Sequence, residues 1–307
     1  MKAWLMLALF LLAGCASLNQ EDDLQGSAPQ FQCPSFKEAR GVVVDFIQYA
    51  PPEEVREDKP FFIGLKFANY FDDVMSVDLS LQDTLDAPNF PDEGVKQTII
   101  VDSAFVDEQT WRQPGCRLSE EEGLTELSLG PYTYSNLDFD DQTSFIGTLK
   151  YSAVTEASFP VCAYNPAEGG GSGCPLTQNY NAASLGYRNE KAPLAFTSVE
   201  KRLVGSQTGV TLQLFFDIEN IGGGTVSGED IDFVLGGEET SFICYSEHGK
   251  ASGAQQLRLR LDENDHATVE CETTLSLDRV QAFTLTTELA YAYVYPFQSD
   301  SLKIMDS

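Results

Sequence analysis

The chain has 307 residues, with 47 Asp plus Glu against 19 Lys plus Arg and a formal net charge of −28. That charge excludes nucleic acid, whose phosphates are held by Lys and Arg, and excludes docking on anionic lipid through a basic face. A hydrophobic share of 42% and an aromatic share of 11% supply packed cores, so general disorder is excluded, and the length suits two domains.

Lys2 gives a short positive start, and Ala3 to Leu12 is almost wholly apolar. This run is shorter than the about 20 residues a membrane-spanning helix needs, and it has the length of a secretory signal's apolar core. It ends in Leu12-Ala13-Gly14-Cys15, which resembles a prokaryotic lipobox. Ala13 and Gly14 are small enough for a peptidase groove, and Cys15 offers the thiol for the lipid. Residues 1–14 are expected to be a cleaved lipoprotein signal peptide. Residues 15–30 are expected to be the lipidated N-terminus and a flexible tether, carrying Asn19, Gln20, Glu21, Asp22 and Asp23. The mature protein is expected outside the cytoplasm, anchored to the membrane by its lipid and facing outward.

Beyond the tether, apolar residues recur every second position, the period of a half-buried strand. Phe61, Ile63, Leu65 and Phe67 share a face, as do Val77, Leu79 and Leu81. In the second half Val210, Leu212, Leu214, Phe216 and Ile218 alternate with Thr211, Gln213, Asp217 and Glu219; Phe215 is the exception. Leu257, Leu259 and Leu261 follow, then Ala267, Val269, Cys271, Thr273 and Leu275. One apolar face per strand predicts antiparallel sheets packed face to face. Helical signals are confined to short turns near 106–113 or 178–185. Pro166, Gly169 to Gly173, Pro175 and a polar run to Asn189 predict a linker over 166–191, dividing a first domain (31–165) from a second (192–307).

The halves share a pattern. Phe67-Ala68-Asn69-Tyr70 and Ile218-Glu219-Asn220-Ile221 each close an alternating strand with an Asn able to bond its own backbone. Ile218-Glu219-Asn220-Ile221-Gly222 resembles the Asn-x-Gly turn of CARDB-type, immunoglobulin-like domains of prokaryotic surface proteins. Leu129-Gly130-Pro131 resembles, with Gly and Pro reversed, their Leu-x-Pro-Gly turn before a late strand. Residues 192–305 also resemble the terminal module of archaeal surface lipoproteins. The resemblance implies two tandem immunoglobulin-like antiparallel β-sandwiches and a role in adhesion or surface assembly, and it carries over no catalytic residue.

Apart from Cys15, six cysteines remain: Cys33, Cys116, Cys162, Cys174, Cys244 and Cys271. An even number in an exported chain reads as disulfides, with several connectivities open. Cys162 and Cys174 flank the glycine-rich loop, Cys244 and Cys271 lie in neighbouring strands of the second half, and Cys33 with Cys116 would staple the first. Zinc fits poorly, since there is no Cys-x-x-Cys spacing and His is limited to His248 and His266.

Chemistry-bearing patterns are few. His248 and His266 sit in turn-like sequence without a nucleophile motif such as Gly-x-Ser-x-Gly. Carboxylate clusters at Glu120 to Glu122 and at Asp138, Asp140 and Asp141 are unremarkable in so acidic a chain. Asp262, Asn264 and Asp265 form a weak calcium candidate beside the plainer reading of a turn. Tyr291, Tyr293 and Tyr295 share one strand face; core packing with hydroxyls reaching the rim is the preferred reading, and they are also the candidates for an aromatic interface stripe. The expected function is non-enzymatic: a lipid-anchored surface protein for adhesion or envelope scaffolding, with no cofactor and with a protein partner at the cell surface. An accessory subunit of an extracytoplasmic secretion or enzyme complex is the alternative; an extracellular hydrolase using carboxylates ranks third.

Overall fold

A computed structural model describes residues 40–85, 94–103, 124–135, 141–167, 173–206, 209–228, 230–237, 241–251 and 255–305. The segments expected as signal peptide and tether, Cys15, Cys33, Cys116 and the acidic residues Glu120 to Glu122, Asp138 and Asp140 lie outside the described residues, as does the possible turn at 106–113.

The chain is all-β. Its first part runs through β1 (Val42–Phe46), β2 (Glu54–Arg56), β3 (Phe61–Asn69), β4 (Met75–Asp83), β5 (Val95–Val101), β6 (Leu124–Tyr132), β7 (Asp141–Thr143) and the long β8 (Phe145–Ala163). Then come β9 (Thr177–Asn181), a 3-10 turn at Ala182–Ser184, β10 (Gly186–Arg188), β11 (Leu194–Ser206), β12 (Gly209–Asn220), β13 (Thr225–Val226) and β14 (Ile231–Gly237). The last strands are β15 (Ile243–Tyr245), β16 (Lys250–Ala251), β17 (Gln256–Leu259), β18 (His266–Leu275), the long β19 (Gln281–Gln298) and β20 (Leu302–Met305). Residues 178–185, a possible helical turn by sequence, hold the end of β9 and then the 3-10 turn at Ala182–Ser184.

A large antiparallel sheet in the order β16-β17-β14-β19-β8-β4-β5 forms the spine of the molecule. A three-stranded sheet, β1-β3-β6, covers one end of it, and a five-stranded sheet, β15-β18-β12-β11-β9, covers the other. Aromatic contacts mark the two interlayer cores. Phe61 stacks with Tyr134 and meets Phe145 at 6.3 Å in the first lobe. Phe216 meets Phe196, Phe233 and Phe159 edge-on in the second. Both cores belong to one contiguous cluster of buried side chains.

The duplication visible in the sequence is a local two-fold symmetry. Val42 pairs with Asn69 as Leu194 pairs with Asn220. Asn69 Nδ2 donates to Asp73 O (2.8 Å) while its Oδ1 accepts from Phe71 N (2.9 Å). Asn220 repeats the arrangement with Gly224 O (2.9 Å) and Gly222 N (3.2 Å). Tyr151 and Tyr291 play equivalent parts: their hydroxyls accept from Val42 N and Leu194 N, each at 3.2 Å. Tyr151 immediately precedes Ser152, Tyr291 immediately precedes Ala292, and Ser152 is paired with Ala292. The axis therefore passes through the middle of the β8–β19 ladder.

The segment expected as a linker carries strands of its own. Residues 166–191 contain β9 and β10, which pair with β11 and β8, and Cys174. The first part of β8 pairs with β4 in the first lobe, whereas its later part places Phe159 against Phe216 and Tyr180 in the second. Conversely β19 pairs with β14, then carries Phe297 back to Phe46. Gly147 makes room for that ring; a Cβ there would lie 2.2 Å from it. The C-terminal β20 joins β2 and β7, so the end of the chain completes the first lobe. Residues 38–307 form one compact unit. Independent sandwiches would each bury their own strands; here each lobe borrows half a strand from the other.

Leu129-Gly130-Pro131 lies within β6, beside a register shift between Phe61 and Ile63. Its Gly130 has φ +122°, and a Cβ would stand 2.9 Å from Phe61 O, which explains the glycine.

Candidate recognition face

The outer face of the five-stranded sheet carries the richest set of functional groups. Strand β12 keeps strict alternation, so Val210, Leu212, Leu214, Phe216 and Ile218 point inward and Phe215 and Asp217 point out. On β11 a register shift between Phe196 and Ser198 reverses the parity of the strand. Before it Leu194 and Phe196 are buried; after it Val199, Lys201 and Leu203 are. A bulge that adds one residue has this effect, since side chains alternate with period two. It turns Ser198, Glu200 and Arg202 outward beside Phe215.

These side chains, with Asn179 and Asn181 from β9, line a shallow depression of ≈ 380 Å³. The Arg202 guanidinium carbon lies 4.4 Å from the Phe215 ring centroid. Arg202 donates through Nε (2.6 Å) and Nη2 (2.8 Å) to the two carboxylate oxygens of Glu200. This fork holds the Glu200 carboxyl below the usual carboxylate range and fixes the guanidinium over the ring. Ser198 Oγ donates to Asp217 Oδ2 at 2.6 Å, and His266 Nε2 lies 3.7 Å from Asp217 Oδ1. The carboxylate stands between hydroxyl and imidazole. A serine nucleophile needs the imidazole against its hydroxyl, so this is a bridge and not a catalytic triad. At the rim Tyr245 is exposed, and desolvation followed by the charges of Glu270 and Glu272 pushes its phenol up.

A second depression of ≈ 660 Å³ lies on the outer face of the large sheet. Its floor is small, with Ser158, Gly186, Gly236 and Thr286. Glu156 faces Glu288 across the ladder, and Arg188 reaches Glu156 (3.6 Å) and Asp73 (3.3 Å). Tyr187 also lines it, but its ring packs against the core and its hydroxyl donates to Phe196 O.

The cysteine pairings expected in the second half are present. Cys162 is bonded to Cys174, and Cys244 to Cys271, with Cys271 wholly buried as its place in the alternation requires. In the tyrosine stripe the burial fits core packing and not the interface alternative. Tyr291 and Tyr293 are core residues, 5% and 0% exposed, and their hydroxyls serve backbone groups at Leu194 and Gly224. Tyr295 is half-buried against the same core. They face inward because the inner side of β19 closes the junction of the two lobes.

Asp262, Asn264 and Asp265 form the hairpin turn between β17 and β18. Asp262 Oδ1 accepts from Asn264 N (2.8 Å) and His266 N (3.0 Å), which holds its carboxyl low, and Asp265 adopts φ +59°. Both donors that shape the turn fall on the same oxygen, Asp262 Oδ1. Among the described residues no group of three or more His, Cys, Asp or Glu is placed to hold a metal. His248 is exposed in its turn. Among the described residues no helix is long and apolar enough to cross a membrane.

Of the recognition face, Phe215 was detectable in sequence as the apolar residue on a polar strand face. Arg202 and Glu200 were not, because the register shift that turns them outward leaves no compositional mark. Neither the known protein families nor the curated proteins contain a match to the chain.

Proposed function

We propose that this is a non-enzymatic, lipid-anchored protein of the cell surface that binds a protein partner through the outer face of its five-stranded sheet, in adhesion or envelope scaffolding. One observation carries the reading: a guanidinium clamped by Glu200 is stacked on a solvent-side Phe215 amid Asn179, Asn181 and Asp217. Arg and aromatic residues are those most enriched at protein interfaces, and here both are held in place before any partner arrives. The depression is shallow and open, as suits a macromolecule. The acidic background favours a basic or neutral protein over a nucleic acid. The two disulfides among the described residues fit an exported chain, and Cys15 after its apolar run supports the lipid anchor. The immunoglobulin-like reading rests on the layered antiparallel sheets and the repeated Asn turn.

The test is crosslinking and affinity capture on intact cells with the wild-type chain and with Phe215→Ala and Arg202→Ala. Partner yield is expected to fall at least tenfold in both variants. Unchanged capture by both would overturn the assigned face. Recovery of proteins from neighbouring cells supports adhesion; recovery of a complex from the same cell supports the accessory-subunit alternative. Cys15→Ser is expected to release the protein from the membrane fraction, and retention there would refute the anchor.

A further inference from the structure

Lys201 lies on the inner side of β11 and is 0% exposed. Lysine is almost never fully buried without a partner of opposite charge, because desolvating an ammonium is costly. Among the described residues Lys201 forms no ion pair. Its Nζ donates to Pro175 O (2.7 Å) and Cys162 O (3.1 Å), and it lies 3.6 Å from Cys162 Sγ and 3.8 Å from Cys174 Sγ. The amine is thus held by two carbonyls directly against both sulfurs of one disulfide. Burial keeps its pKa below the usual lysine range.

A neutral disulfide gives an ammonium little. A thiolate in the same place gives it a counter-ion, and a neighbouring cation stabilises the thiolate in turn. The two residues also differ in exposure: Cys162 is half-buried, whereas Cys174 is only 3% exposed. The other bridge, Cys244–Cys271, joins paired positions of β15 and β18, with both residues buried.

We propose that Cys162–Cys174 is a site of thiol–disulfide exchange with dithiols, in which Lys201 stabilises the thiolate released at Cys174. One thiolate of the dithiol attacks Cys162 Sγ. The Cys162–Cys174 bond breaks, a mixed disulfide forms, and Cys174 leaves as a thiolate facing Lys201 Nζ. The second thiolate of the reductant then attacks its own half of the mixed disulfide and expels Cys162, which takes up a proton. The dithiol ends as a disulfide, two electrons have passed to the protein, and the reductant's remaining proton goes to solvent. A leaving group of lowered pKa departs faster and shifts the equilibrium toward reduction. This exchange does not depend on the identity of the recognition face.

The experiment titrates the full chain with dithiothreitol, traps free thiols with a maleimide, and maps the labelled cysteines by mass spectrometry. Cys162 and Cys174 are expected to become labelled at a dithiol concentration about tenfold lower than Cys244 and Cys271. Lys201→Met, of similar length and uncharged, is expected to raise the concentration needed at Cys162–Cys174 several-fold while leaving Cys244–Cys271 unchanged. Equal reduction of the two bridges in the wild-type chain would overturn the proposal whatever the variant does. So would a folded Lys201→Met protein in which Cys162–Cys174 is reduced as readily as before.

Discussion

The two lobes are built from the same parts and differ in what they expose. In each, an Asn closes the second strand of the covering sheet over the next turn, and a tyrosine hydroxyl from a long spine strand receives the first strand's backbone N–H. In the first lobe that covering sheet has three strands; in the second it has five, and it carries the Arg202–Phe215 stack and the Cys244–Cys271 bridge. The repeated elements are the ones that hold layers together, and the divergent ones face solvent or edge the sheet. Binding function on a duplicated scaffold is therefore to be sought where the copies disagree. The exchange of strand halves through β8 and β19 makes the stability of each lobe depend on the other.

Phe159→Ala is expected to have the largest effect. Phe159 is on a strand that starts in the first lobe, yet its ring fills the second. Removing a buried Phe costs about 3–5 kcal/mol. Urea unfolding followed by tryptophan and far-ultraviolet signals is expected to show one transition moved to lower urea for the whole protein. A loss confined to one lobe would argue for independent domains.

Next come the paired caps. Asn69 is 0% exposed, while Asn220 is half-buried, although both hold equivalent turns. Leaving buried backbone groups unsatisfied costs about 1–3 kcal/mol. Asn69→Ala is expected near the upper end and Asn220→Ala near the lower end, as read from denaturant midpoints. The reverse order would show that burial does not set the difference.

The buried tyrosines give a pH signature. Burial pushes Tyr70, Tyr187 and Tyr293 from 10.0 up to about 12. Below pH 10 both folded and unfolded chains keep these protons, and the contribution to stability is complete. As the pH rises from 10 through about 12 the unfolded chain ionises first, so stability falls. Denaturant midpoints are expected to be level from pH 8 to 9 and to decline by pH 11, less steeply in Tyr293→Phe. The smallest expected effect is Phe215→Ala, whose half-buried ring on the outer face should change stability by no more than about 1 kcal/mol while abolishing partner capture.

Much of the covering sheets was legible. Strand β12 alternates apolar and polar residues almost without fault, Cys271 falls on its neighbour's inner face, and the Asn69 and Asn220 turns stand out as a repeat. The spine was harder. The inward positions of β8 include Gly147, Ala153, Thr155, Ala157 and Ala163, small residues that pack well between layers but give a faint periodic signal. Nothing local distinguishes a strand serving one lobe from a strand serving two, because pairing partners are set by contacts far apart in sequence. The buried Lys201 was hidden for the same reason as Arg202: the register shift after Phe196 exchanges the two faces of β11.

The interdependence of the lobes is tested most directly by differential scanning calorimetry of residues 38–307. One endotherm, with calorimetric and van't Hoff enthalpies equal, is expected of a single cooperative unit. Two endotherms, or a calorimetric enthalpy about twice the van't Hoff value, would contradict the shared spine and restore two independent sandwiches.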